Sequence, residues 1–184
     1  NNIKTTFPVI PAEARPLSRS LAIRNGIKQH FMAAGFMEAI NYSFISKSSC
    51  DQLNLPESDP RRLMVEILNP ISDEQSVMRT SLVPGLLETM GRNLSVQNRD
   101  MKIYEVGTVF FGQGSDDIQP KEVEMLAGLW TGSRVGDSWY TKEEPCDFYD
   151  LKGAVEALFG KLCITSATFS ALEPEACRYT RPGH

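Results

Sequence analysis

The residue types that most often act in catalysis are scarce in this sequence, and their spacing does not build a reactive site. Only two of the 184 residues are histidines, His30 and His184, which leaves little capacity for proton transfer by imidazole. The four cysteines form no Cys-x-x-Cys pair, so a tetrahedral zinc site is not expected. They are Cys50, Cys146, Cys163 and Cys177. We expect them to be small buried apolar residues in a reducing cytosol.

Carboxylates are frequent, but no pair of them is placed for acid–base chemistry. Asp116-Asp117 and Glu143-Glu144 are adjacent pairs in polar stretches, which is typical of a solvated surface. The chain also has no Gly-x-x-x-x-Gly-Lys-Ser/Thr phosphate loop and no Gly-x-Ser-x-Gly elbow. The sequence therefore predicts no catalytic, cofactor-binding or metal-binding residue.

Arg79 is the one charged residue whose setting suggests a specific role. It follows the apolar pair Val77-Met78 and comes just before the cap of a predicted helix. A guanidinium at the edge of a core could bind a phosphate or a carboxylate in bidentate fashion. The alternative is a structural ion pair that holds the turn, with Glu74 or Glu105 as the partner. We favour the structural ion pair.

Composition indicates one soluble domain with no affinity for membranes. Apolar residues make up 41% of the chain, and no run of about 18 apolar residues exists that would span a bilayer. The net charge of −4 argues against a broad RNA-binding surface, since phosphate neutralisation requires basic residues. We expect a cytoplasmic protein.

The first half of the chain predicts a helix followed by a strand. Residues 1–16 contain three prolines and are predicted to be a linker or arm. Apolar residues at helical spacing run from Leu17 to Ala34, and Gly35 suits the helix end. Gly26 within this helix costs about 1 kcal/mol relative to alanine; this cost is either offset by close packing against another helix or simply tolerated. Residues 37–46 alternate, with Ile40, Tyr42 and Phe44 on one face, which predicts a half-buried strand.

A second strand is predicted over residues 63–68, and residues 69–81 are predicted to form a rigid structural junction. Ser72 and Gln75 match a Ser-x-x-Gln capping pattern for a short helical turn. Ser81 is placed to cap the next helix, which tolerates Pro84 in its first turn. Arg79 lies within this frame.

The second half predicts two long strands and a last helix. Residues 101–111 and 123–131 are predicted as a strand pair, Asp147 as the cap of a helix, and residues 165–169 as a further strand. Strands joined by hairpins or short helices indicate an α+β fold with an antiparallel sheet flanked by helices. We interpret residues 17–184 as one core, truncated at its C-terminus, within a fragment of a longer polypeptide.

Four blocks of sequence give this chain a specific resemblance. Residues 18–46, 69–87, 103–110 and 147–158 occur in the order in which similar blocks occur in bacterial phenylalanyl-tRNA synthetase β subunits. The resemblance implies a class II synthetase-like core. It also implies a place in an α2β2 enzyme that attaches phenylalanine to tRNA with ATP and Mg²⁺. In that enzyme the α subunit is catalytic, the β core packs on it, and tRNA is contacted mainly by other regions.

The departures from a working class II site imply a core that does no chemistry. Catalytic members carry an arginine just past the valine–aromatic pair of a motif 2 strand, and Phe111 stands there in this sequence. A phenylalanine ring cannot stabilise charge that develops at phosphorus. The glycine-rich arginine motif 3 is not visible either. The resemblance further implies that the first helix, as motif 1, contacts the α subunit through Ile23, Gly26 and Ile27.

Two other functions remain open at this point. One is a class II-like domain that itself binds or adenylates an amino acid, against which Phe111 argues. The other is a standalone RNA-binding module, against which the acidic balance and the lack of basic residues interleaved with aromatics argue.

Overall fold

The computed structural model describes residues 16–113, 119–136, 138–140, 142 and 144–171. The elements follow one another in chain order as α1 (Arg19–Ala33), β1 (Met37–Glu38), β2 (Phe44–Ile45), α2 (Ser49–Gln52), β3 (Val77–Met78), α3 (Val83–Ser95), β4 (Met101–Phe111), β5 (Lys121–Thr131) and α4 (Phe148–Lys161). Two short 3-10 turns cover Pro60–Arg62 and Asp73–Gln75. The predicted linker, apart from Pro16, lies outside the described residues.

Helix α1 lies inside its predicted span and has a cap that the sequence prediction did not include. The Ser18 hydroxyl accepts a hydrogen bond from the Leu21 amide at 3.3 Å, which satisfies one of the free amides of the first turn. Gly35 follows the helix with φ of 82°, a conformation that glycine adopts without steric cost. The predicted helix is present, and its ends lie within two residues of the predicted span from Leu17 to Ala34.

A three-stranded sheet in the order β1–β4–β5 forms the centre of the fold. Strands β4 and β5 pair antiparallel over their full length, with Tyr104 opposite Gly128. Strand β1 pairs with β4 in parallel, with Met37 opposite Ile103. The α+β class is confirmed. The sheet is mixed and not wholly antiparallel, because β1 runs parallel to β4.

The core lies on both faces of this sheet, as the two-residue period of β4 requires. Tyr104 and Val106 face α1 and α4, where Phe31 stacks on Tyr104 with ring centroids 4.9 Å apart. Met101 and Ile103 face the other side. There they pack with Leu86 of α3. A third, smaller cluster consists of Cys50, Leu53 and Leu55 beneath α2.

Three strand predictions were wrong. The predicted strand over residues 37–46 is divided into β1 and β2, which belong to different sheets. Residues 63–68 form the isolated bridge Glu66–Val77, and the rest of the segment is not a strand. Its first residue departs toward the end of β4, where the Leu63 carbonyl accepts from the Gly112 amide. Residues 165–169 form no strand; Phe169 packs beside Phe159 on α4.

The cysteine prediction was only partly right. Cys50 is buried, Cys146 is half-buried and Cys163 is exposed, while Cys177 lies outside the described residues. His30 has its ring Nε2 2.9 Å from the Ala154 carbonyl, which links α1 to α4. Within the described part of the chain, no group of His, Cys, Asp and Glu side chains is placed to hold a metal ion, and no helix has the length and apolarity needed to cross a bilayer.

Candidate functional site at the Arg79–Glu105 junction

Arg79 is buried between two separate parts of the chain. Its amide donates to the Ser43 carbonyl at 2.9 Å, and its own carbonyl accepts from the Phe110 amide at 2.8 Å. The residue is only 5% exposed. Its backbone therefore connects the segment after β1 to the end of β4, and this fixes the base of the side chain.

The guanidinium of Arg79 is engaged on several sides by the protein itself. Nη1 lies 2.5 Å from Glu105 Oε1. Nε donates to the Thr108 carbonyl at 2.9 Å, and Nη1 makes a longer contact of 3.5 Å with the Asn41 carbonyl. Glu105 is one of the two carboxylates named from the sequence; the other, Glu74, lies exposed in the 3-10 turn. The positive charge of Arg79 is thus compensated inside the core.

A chain of side-chain hydrogen bonds extends from this ion pair to helix α3. Glu105 Oε2 accepts from Asn41 Nδ2 at 2.7 Å. The amide oxygen of Asn41 in turn accepts from Thr89 Oγ1 at 2.8 Å. Both carboxylate oxygens and both ends of the amide are satisfied, which is what a buried polar network requires. Asn41 and Thr89 were not predicted from the sequence to belong to a site.

Two glycines make room for this network. A Cβ added to Gly107 would collide with the Arg79 guanidinium. A Cβ added to Gly85 on α3 would lie 2.9 Å from the Cβ of Asn41, closer than carbon atoms approach without displacement. The Arg79 guanidinium and the Asn41 amide therefore occupy the space that the side chain of any residue larger than glycine would fill at positions 107 and 85.

The other junction residues differ in part from the capping pattern. The Ser72 side chain makes no capping hydrogen bond; its carbonyl accepts from the Gln75 amide at 3.0 Å and closes a 3-10 turn. The predicted short helical turn is present and Ser72 stands at its N-cap position, but the predicted side-chain cap is absent because the Gln75 amide bonds the Ser72 carbonyl instead. The Ser81 hydroxyl does accept from the Val83 amide at 3.2 Å, while Leu82 stands at the N-cap position of α3.

Phe111 is the last residue of β4 and is half-buried, with Lys121 opposite it on β5. The Phe110 amide next to it is bound by the Arg79 carbonyl, and the Gly112 amide donates to the Leu63 carbonyl at 2.8 Å. The end of this strand is therefore held by main-chain bonds on both sides of Phe111. The aromatic ring of Phe111 offers no hydrogen-bond donor there.

The three α1 residues named from the resemblance do not share one environment. Ile27 packs against the core cluster that contains Phe31. Ile23 is 41% exposed. A Cβ on Gly26 would meet nothing within 4 Å, so no element of the described chain approaches that glycine closely.

A cleft of about 490 Å³ opens beside the network, between residues 40–49 and helix α3. Ile40 and Tyr42 on its wall are 90% and 73% exposed. The alternation that predicted a half-buried strand is present, but its apolar face points away from the core. Sequence pattern alone cannot distinguish these two orientations.

A second charged cluster fixes the loop that leads into α4. Arg134 forms ion pairs with three carboxylates, those of Glu144, Asp147 and Asp150. The Asp147 amide, and then Arg134, hold the pKa of Asp150 below its usual range. Asp147 and Asp150 form a capping box, which confirms Asp147 as the cap of this helix. The cluster is a structural support at the protein surface.

Comparison with solved structures defines the class of protein. The fold is similar to that of pyrrolysyl-tRNA synthetase from Desulfitobacterium hafniense, with a TM-score of 0.59 at 17% identity. The match covers 84% of this chain and 50% of that chain. The fold is therefore that of the class II tRNA synthetases, as predicted.

Sequence comparison identifies the family within that class. Residues 3–183 match the model for the phenylalanyl tRNA synthetase beta chain CLM domain, and the chain belongs to this family. It is 41% identical to the phenylalanine–tRNA ligase beta subunit of Syntrophotalea carbinolica, over all of this chain and 22% of the relative. It is 45% identical to that of Moorella thermoacetica, over 82% of this chain and 18% of the relative. The chain thus spans about a fifth of the length of these relatives.

Proposed function

We propose that this chain is a non-catalytic core module of a phenylalanine–tRNA ligase β subunit, acting in the cytoplasm as part of an α2β2 enzyme. In this proposal the α subunit carries the site for ATP, Mg²⁺ and phenylalanine, and tRNA is bound mainly by other regions. The observation that carries the proposal is the internal neutralisation of Arg79 by Glu105, together with Phe111 at the motif 2 position.

Adenylate formation develops negative charge at the reacting phosphate, and a catalytic site must stabilise it. Catalysis of adenylate formation needs cationic donors that are aimed at the developing charge and are not already compensated. Arg79 is compensated by Glu105 at 2.5 Å and also donates to the Thr108 carbonyl. Releasing the guanidinium for a nucleotide would leave a carboxylate buried and unpaired, which is strongly unfavourable. Phe111 supplies no charge in its place.

The proposed contact with the α subunit includes the exposed face of α1. Ile23 supports this role because much of its side chain is accessible, and Gly26 supports it because the space beside it is open. Ile27 contributes differently, since it packs on the core and supports the helix from behind. Residues 69–81 act in this proposal as a rigid structural junction.

A pair of α1 variants tests the interface. Ile23→Glu is expected to weaken assembly with α by about 10-fold or more while the melting temperature changes little, since it places a charge only at the interface. Ile27→Glu is expected to unfold the domain, because it buries an unpaired carboxylate. Assembly is measured by analytical ultracentrifugation and stability by circular dichroism. If Ile23→Glu assembles like the wild type, α1 is not the contact.

The catalytic part of the proposal is tested by phenylalanine-dependent exchange between ATP and pyrophosphate. The full-length β subunit alone is expected to show only background exchange, and the assembled α–β enzyme to show full exchange. Phe111→Ala in β, tested in the assembled enzyme, is expected to leave the exchange rate unchanged. Robust exchange by β without α would overturn the proposal and favour a domain that itself adenylates an amino acid.

A further inference from the structure

The side chains of residues 39–44 alternate in the sense opposite to their polarity. The apolar side chains of Ile40, Tyr42 and Phe44 are exposed. The residues that alternate with them are small or polar and are half-buried: Ala39, Asn41 and Ser43. The hydrophobic effect favours the reverse arrangement, in which the apolar side chains leave water. The fold must therefore contain interactions that hold this segment with its apolar side outward.

The strand pairing at the two ends of the segment is too short to impose that orientation. Strands β1 and β2 have two residues each, and residues 39–43 belong to no strand. Short pairing specifies register weakly, and a shift of one residue exchanges the two sides of an extended segment. The exposed turn at Lys47-Ser48 can take up the displaced residue. A shifted conformation with Ile40 or Tyr42 facing inward is therefore open to the main chain.

The side chain of Asn41 opposes that shift. Its Nδ2 donates to Glu105 Oε2 at 2.7 Å, and its Oδ1 accepts from Thr89 Oγ1 at 2.8 Å. In the shifted conformation an apolar side chain would stand in its place, and Glu105 Oε2 would lose this donor. The Glu105 side chain is only 4% exposed, so water does not replace the lost hydrogen bond.

Arg79 holds the carboxylate in the orientation that Asn41 requires. Its guanidinium binds the other carboxylate oxygen, Oε1, and is itself fixed by the Thr108 carbonyl. The Arg79 amide also donates to the Ser43 carbonyl, two residues beyond Asn41. A Cβ on Gly85 would lie 2.9 Å from the Asn41 Cβ, so α3 lies directly against Asn41 and leaves little room there for a larger side chain.

We propose that the Arg79–Glu105 pair, together with Asn41 and Thr89, is a register lock. It selects the conformation of residues 39–44 in which Ile40 and Tyr42 lie on the surface. The lock acts by destabilising the shifted conformation and adds little net stability to the fold, because a buried ion pair contributes little relative to apolar residues of similar volume. The inference concerns the domain itself and is independent of the proposed function.

Methyl NMR of the full-length β subunit reports the orientation of Ile40, whose δ1-methyl signal is assigned through Ile40→Val. The wild type should give one Ile40 signal, without an Overhauser effect to the methyl groups of Leu86, which lies in the core cluster on which Ala39 packs. The combined change Arg79→Met with Glu105→Leu removes the lock and both charges, and this variant should remain folded. It should show a second Ile40 signal that has this Overhauser effect.

Asn41→Ala is a second variant that leaves the ion pair in place. It removes the hydrogen bond to Glu105 from the observed conformation, whereas the shifted conformation has no such bond to lose. A hydrogen bond to a charged group corresponds to about 10- to 100-fold in an equilibrium constant. The ratio of shifted to observed conformation, measured by saturation transfer on the Ile40 signal, should rise by that factor. Thr89→Ala should raise the ratio by about 2- to 10-fold, and Thr89→Ser, which keeps the hydroxyl bond, should restore it.

Arg92→Met with Glu88→Leu is the matched control. It makes the same two substitutions in an ion pair that lines the same cleft, but this pair is exposed on α3. The Ile40 signal of the control variant should equal that of the wild type.

Each outcome decides for or against the register lock. A single unchanged Ile40 signal in the folded Arg79→Met, Glu105→Leu variant would refute it and leave the pair as charge compensation alone. A second signal in the control variant would also refute it, because any change at the cleft would then rearrange the segment. If the Arg79→Met, Glu105→Leu variant does not fold, Asn41→Ala decides, and an unchanged conformational ratio in Asn41→Ala refutes the lock. The proposed function is tested separately by pyrophosphate exchange and stands or falls without these results.

Discussion

Replacing Arg79 by alanine would leave the Glu105 carboxylate buried with Asn41 as its remaining side-chain donor. The side chains of Arg79 and Glu105 are only 6% and 4% exposed, so solvent cannot replace the lost cation. Removing one partner of such a buried pair costs about 3–5 kcal/mol. In a domain of this size each kcal/mol lowers the melting temperature by about 2–4 °C, so the expected decrease is about 6–20 °C.

The assay compares melting temperatures by circular dichroism for Arg79→Ala and a matched surface variant. Arg92→Ala removes the exposed ion pair with Glu88 and should cost about 0–0.5 kcal/mol. The combined change Arg79→Met with Glu105→Leu should recover most of the stability, because it removes both charges and keeps the volume.

The same variant separates a structural role from a nucleotide-binding role. The assembled enzyme that carries Arg79→Ala is expected to bind ATP as the wild-type enzyme does. The reason is that the wild-type Arg79 guanidinium is bound to Glu105 and not to a ligand. Normal stability combined with lost nucleotide binding would refute this reasoning and would mean that the core retains a working phosphate contact.

Three further predictions concern single contacts. Gly107→Ala should lower stability by about 1–3 kcal/mol, measured by urea unfolding, since the new methyl group displaces the Arg79 guanidinium. Tyr104→Phe should raise stability by about 1 kcal/mol, because the buried hydroxyl has no hydrogen-bond partner among the described residues; a clear loss would reveal a bond to that hydroxyl. The pKa of Asp150 is lowered in the fold, so this carboxylate stabilises the protein above about pH 4 and loses that effect as pH falls through its folded pKa. The melting temperature of Asp150→Asn should therefore lie below that of the wild type at pH 7 and approach it near pH 2.

The helices and the β4–β5 hairpin could be predicted because their signals are local. Periodic apolar residues, the Asp147 cap and Gly35 each act within a few residues of the element that they define. The order of the four blocks was sufficient to predict the family and the class II fold, and both are confirmed.

The division of residues 37–46 could not be predicted, because long-range contacts determine it. Asn41 bonds Glu105, 64 residues away, and Thr89, 48 residues away. These bonds turn the chain out of β1 and leave Ile40 and Tyr42 facing solvent, although their spacing is that of a buried strand face. Local patterns carry no information about which side of a strand a distant helix will cover.

The candidate site was predictable only at its charged centre. Arg79 with a carboxylate partner followed from the placement of a cation between apolar residues and a helix start, and Glu105 was one of two partners considered. The hydrogen bond between Asn41 and Thr89 forms only because α3 approaches Asn41 closely at Gly85. That approach results from tertiary packing, so the sequence did not predict it.

The parallel pairing of β1 with β4 has a consequence for the order in which the fold forms. Strands β4 and β5 are joined by the short stretch 112–120 and can close as a local hairpin, whereas Met37 must find Ile103 across 66 positions. Closing that longer loop costs more chain entropy and is the slower event. During synthesis α1 and β1 leave the ribosome before the strand that will cover them exists, so the apolar side of α1 around Phe31 stays open until β4 and β5 have emerged.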